Sequence, residues 1–136
     1  MTKYITSKDY ESLYEEHLRR NQEFLQMFAK DIENLSPMVQ KSHMNNLETF
    51  LNDYLVQRVS VPMEKGIGYV KDYFEFFLPM KGMCSGEELR LAATSVKKFY
   101  KSMTLYSVVE AEEYKYLCNT LSDGMEEWIQ ECIYTD

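Results

Sequence analysis

Over most of its length this chain's apolar residues recur at steps of three and four, and a chain written that way folds as packed helices rather than as a sheet. The clearest case is 85–103. Ser85 followed three residues later by Glu88 is a capping box, in which each residue satisfies a backbone N–H of the other. Leu89, Ala92, Ala93, Val96, Phe99, Tyr100 and Met103 then line one helical face, while Arg90, Lys97 and Lys101, seven and four apart, share another.

The same reasoning divides the rest of the chain. Ser7 can cap a helix running to about Asn34. Ser36-Pro37, an N-cap followed by Pro at the first helical position, opens a second helix to about Gln57. Its inward positions are Val39, Leu47, Phe50, Leu51, Tyr54 and Leu55. Pro62 opens a third helix with Ile67, Val70, Tyr73, Phe74, Phe77 and Leu78 inward. Gly66 and Gly68 weaken its start by about 1 kcal/mol each relative to Ala, so one of them is expected to serve a close helix contact. The last helix, about Glu110 to Ile133, turns Tyr114, Leu117, Leu121, Met125, Trp128 and Cys132 inward, with Gly124 the expected kink. Five Gly and three Pro in 136 residues leave few other breaks. The expectation is an all-α fold: one domain over 1–136, a bundle of about five helices, in which a helix over 7–34 is added to a four-helix core over 35–136.

In the first helix Tyr14, Leu18, Leu25, Phe28, Ile32 and Leu35 follow a heptad series, with Asn21 in its one polar place. A polar residue in such a seam is how coiled coils fix register and partner number. Tyr14, Leu18, Asn21, Leu25, Phe28 and Ile32 are therefore a candidate interface with a second copy or another protein. The alternative is that this helix packs on its own chain.

The net charge of −7 argues against nucleic-acid binding by the molecule as a whole, but the charge is uneven. Residues 79–106 carry five basic and two acidic groups, whereas 107–136 carry one and eight. The basic segment is the one built around the capped helix.

Catalytic and metal signatures are missing. His17 and His43 are the only histidines, and neither is near a cysteine in sequence. There is no HExxH, GxSxG, phosphate loop or Glu-x-x-His. The expectation is a non-enzyme with no catalytic residue, metal, cofactor or small-molecule substrate. Cys84, Cys118 and Cys132 are odd in number and widely spaced, which reads as reduced thiols in a cytoplasmic protein, with Cys118 and Cys132 in the core. No apolar run is long enough to span a membrane, and the first residues lack the apolar stretch of a signal peptide.

From about Leu35 to Leu121 the order of features resembles the N-terminal core-binding domain of tyrosine recombinases of the phage-integrase type, a SAM-like four-helix module. Leu47-Glu48-Thr49-Phe50-Leu51-Asn52-Asp53-Tyr54-Leu55 stands where that family ends its first helix. Val70-Lys71-Asp72-Tyr73-Phe74-Glu75-Phe76-Phe77-Leu78 matches its aromatic-rich second helix. Ala93-Thr94-Ser95-Val96-Lys97-Lys98-Phe99-Tyr100-Lys101 matches its small-residue, basic, Phe-Tyr signature. The family's catalytic domain, with its arginines, histidine and tyrosine nucleophile, has no counterpart in this sequence. The resemblance implies a non-catalytic helical module touching the backbone of double-stranded DNA through Lys81, Arg90, Lys97, Lys98 and Lys101, with affinity but little sequence readout. A module for protein–protein interaction or self-association, with no DNA role, is the alternative.

Overall fold

A computed structural model describes residues 7–134, with side chains from Lys8 to Cys132. Five helices follow one another: α1 Ser7–Asp31, α2 over 37–59, α3 over 63–80, α4 Gly86–Leu105 and α5 Ala111–Tyr134. No strand occurs among the described residues. The expectation of an all-α bundle of about five helices holds. Residues 1–6, which the sequence marks as a short lead to the first helix, lie outside the described residues.

The helix starts follow their caps. Ser36 Oγ accepts from the Val39 N–H at 3.3 Å, with Pro37 in the first turn. At α4 both halves of the capping box form: the Glu88 N–H donates to Ser85 Oγ at 3.1 Å, and the Ser85 N–H to Glu88 Oε1 at 3.3 Å.

Helices α2 and α3 are not uniform. Regular α-helix over Pro37–Glu48 widens into π turns over Thr49–Val59. Helix α3 begins as a 3-10 segment, Met63–Tyr69, and widens into π turns over Tyr73–Phe77. An i→i+5 hydrogen-bond pattern puts more residues in each turn, so both segments present a broad apolar face. Phe50, Leu51, Tyr54, Leu55 and Val56 on α2 and Tyr73, Phe74 and Phe77 on α3 are all buried. Their rings interlock: the Phe50 and Tyr73 centroids are 4.9 Å apart, Tyr54 and Tyr73 5.0 Å, Tyr54 and Phe77 5.1 Å. Such pairs contribute about 0.5–1.5 kcal/mol each beyond the area they bury.

Gly66 is the close contact expected near the start of α3. A methyl group there would lie 2.6 Å from Leu55 Cδ1 and would collide with the Tyr100 hydroxyl. The bare glycine lets Tyr100 reach under α3 and donate to the Met63 carbonyl oxygen at 2.8 Å. Gly124 is different from what the sequence suggests: α5 runs through it unbroken. The Trp128 indole lies over residue 124, where any side chain would strike the ring. Val39, expected inward, is exposed because the first turns of α2 stand clear of the core. Cys118 and Cys132 are half-buried rather than core.

The heptad series of α1 is resolved within the chain. Leu25, Phe28 and Ile32 belong to the core, and Asn21 is 2% exposed. Its Nδ2 donates to the Leu51 carbonyl oxygen at 3.2 Å and to Asn52 Oδ1 at 3.0 Å. Four of the six candidate interface residues thus pack α1 against its own bundle, the intramolecular alternative that spacing alone leaves open. Tyr14 is exposed and Leu18 half-buried.

A candidate anion-binding face on α4

Helix α4 lies between α2 on one side and α5 on the other, and its buried stripe is the one read from spacing. Leu89, Val96, Phe99, Tyr100 and Met103 are sealed in the core, so the opposite face has to meet solvent. Arg90, Thr94, Lys97, Lys98 and Lys101 are exposed along it. Lys101 lies eleven steps beyond Arg90, about 16 Å along the axis at 1.5 Å per residue.

None of these four cations makes an ion pair among the described residues. Other cations of the chain do: Arg19 with Glu16 and Glu23, both at 2.6 Å, Arg20 with Glu64 at 2.8 Å, and Lys71 with Glu75 at 3.9 Å. The α4 row is left unneutralised by its own chain even though α5 beside it is acidic. Glu126 shares a groove of about 440 Å³ with Arg90, Thr94, Lys97 and Ser122, yet pairs with neither cation. On the other flank Lys98 and Lys101 border a groove of about 310 Å³ that Asp31 also lines.

Lys81 lies outside this row. It precedes α4, and its ammonium sits over the Phe77 ring, 5.5 Å from the centroid, a cation–π contact. The structure therefore brings together four of the five candidate cations. Thr94 and Ser122, hydroxyls beside Arg90 and Lys97, escaped sequence reasoning because nothing in their spacing marks them.

Beneath the row lies a buried polar group that spacing could not reveal. Ser95 Oγ is 2.7 Å from His43 Nδ1 and accepts from Asn46 Nδ2 at 3.0 Å. With the imidazole neutral, the serine hydroxyl donates to Nδ1 and the ring proton sits on Nε2. Burial, and then the charge of Lys98, hold the His43 pKa below its usual value. A serine beside a histidine invites a nucleophilic reading. Ser95 is completely buried, however, so no substrate carbonyl reaches it. The trio joins α2 to α4, with Ser95 Oγ bonded to both of its partners.

No three His, Cys, Asp or Glu side chains converge as a metal site among the described residues. No helix there is long and apolar enough to cross a membrane.

No protein-family model matches this chain, and no curated protein or solved structure matches it either.

Proposed function

We propose that the exposed face of α4 binds the sugar–phosphate backbone of double-stranded DNA without catalysis, as the likeness to recombinase core-binding domains implies. The observation that supports this is the row Arg90, Lys97, Lys98 and Lys101, exposed and free of ion pairs among the described residues of an otherwise acidic chain. The row spans about 16 Å, over which one DNA strand carries about five phosphates at 3.4 Å each. Lysines supply charge without base-edge geometry, so recognition is of the backbone rather than of sequence.

Fluorescence anisotropy of a labelled random duplex tests this. Four phosphate contacts give a log–log salt slope of about −3.6, or about a hundredfold loss of affinity between 50 and 200 mM salt. Lys97→Glu/Lys101→Glu abolishes binding while leaving the helical circular dichroism unchanged, because both side chains are exposed. Absence of binding at low salt, or binding indifferent to salt, defeats the proposal.

A second reading, self-association, is supported by the free end of α1, where Tyr10, Leu13 and Tyr14 are exposed at 58%, 47% and 38%. Sedimentation at high protein concentration separates the two. A concentration-dependent dimer lost in Leu13→Glu favours association, and a monomer throughout excludes it.

A further inference from the structure

The three cysteines look unrelated in sequence, but two of them meet in space. Cys84 lies in the loop just before the α4 cap, and Cys132 lies in the last turns of α5. Both line one cavity of about 170 Å³, together with Phe74, Pro79, Trp128 and Glu131. The backbone geometry explains the meeting. Helices α4 and α5 run antiparallel, and Gly86 faces Ile129, where an added methyl group would sit in ordinary contact at 3.6 and 3.8 Å. Cys84 is two residues before that crossing and Cys132 three residues after it, nearly one helical turn. That crossing places both cysteines at the same end of the α4–α5 pair, on one cavity.

We propose that Cys84 and Cys132 are a reversible dithiol–disulfide site, oxidised by exchange with a low-molecular-weight disulfide, that ties the start of α4 to the end of α5. Both cysteines are free thiols in this structure, its reduced state. The Cys84 thiolate attacks one sulfur of the small disulfide, breaking its S–S bond and releasing one small thiolate. The Cys132 thiolate then attacks the Cys84 sulfur, forming the intramolecular bond and releasing the second small thiolate. Two protons leave the protein thiols, and two electrons pass to the small disulfide, which is reduced to two thiols.

The order follows from the surroundings of Cys132. Burial, the neighbouring Cys84 thiol and the Glu131 carboxylate push its thiol up to about 11, so it is scarcely ionised at neutral pH. Cys84 is the attacking sulfur and Cys132 the resolving one. Cys118 takes no part: it is fourteen residues earlier on α5, about 21 Å along the axis, and lines the separate α4–α5 groove.

The test is incubation of the full chain with glutathione disulfide, removal of the reagent, alkylation under denaturing conditions and mass spectrometry. Only one of the three cysteines should then take the alkylating label, Cys118, and the mass before alkylation should fall by two hydrogens. A Cys84–Cys132 linked peptide should appear and vanish with dithiothreitol. Trp128, the single tryptophan, borders the cavity, so its fluorescence should fall on oxidation and recover on reduction. Cys132→Ser should instead retain glutathione on Cys84. Three labelled cysteines after oxidation, a glutathione adduct persisting on the native chain, or a link through Cys118 would each overturn the proposal. Because the labelling is done on the native chain, failure of a serine variant to fold does not remove the test.

Discussion

Asn21 on α1 donates its side-chain amide to the Leu51 carbonyl oxygen of α2 at 3.2 Å. Leu51 lies in the π-turn segment of that helix, and Asn52 Oδ1 takes a second bond from the same amide at 3.0 Å. A residue whose spacing suggests the register of a coiled coil is thus the polar fastener of an intramolecular helix pair.

Removal of that fastener is expected to be costly. Asn21→Ala leaves two acceptors without their donor in a buried place, an effect of about 1–3 kcal/mol. Urea denaturation monitored by circular dichroism measures it. A variant as stable as the native chain would show that solvent replaces the amide without loss.

The glycines of α3 make a sharp contrast. Gly66→Ala forces a methyl group into Leu55 and the Tyr100 hydroxyl and is expected to destabilise by about 1–3 kcal/mol. Gly68→Ala meets nothing within 4 Å and stabilises by about 0.4–1 kcal/mol by restricting the unfolded chain. Thermal melts of the two variants should move in opposite directions.

His43 makes the fold acid-sensitive. Its folded pKa is lowered by burial and then by Lys98. As pH falls below about 6.5 the unfolded chain takes up a proton that the folded chain refuses, so stability is full above that value and declines below it. In a two-dimensional NMR titration the His43 imidazole should titrate below 6.5, and Lys98→Ala should move it part of the way back. Titration of His43 at or above 6.5 in the native chain would contradict the assignment.

Alkali acts through the tyrosines in the opposite sense. The Tyr54 hydroxyl is 2.5 Å from Asp72 Oδ2, and burial, with that hydrogen bond second, raises its pKa. Burial is also the largest cause of the raised values at Tyr73 and Tyr100. Above about pH 10 the unfolded chain ionises these phenols while the folded chain does not, so the stability they contribute is present below pH 10 and declines above it. Absorbance of phenolate near 295 nm should show these three tyrosines of eleven ionising only as the helical signal collapses.

Local patterning, by itself, determined a good deal of this protein. Ser36-Pro37 and Ser85/Glu88 marked helix starts, and the apolar steps of three and four marked the buried stripe of α4 and, with it, the exposed cationic row. These are legible because caps and amphipathic faces depend on residues within four positions of one another. The remaining features depend on residues far apart in the chain. Spacing left open whether the heptad series of α1 faced outward or inward; the Asn21–Leu51 bond answers it across 30 positions. The pattern of α5 put a kink at Gly124, where the helix instead makes room for Trp128. Ser95 meets His43 across 52 positions, and Cys84 shares a cavity with Cys132 at the far end of α5. Close approach between helices is set by which side chain is absent at their crossing, and a one-dimensional pattern does not record where that crossing falls.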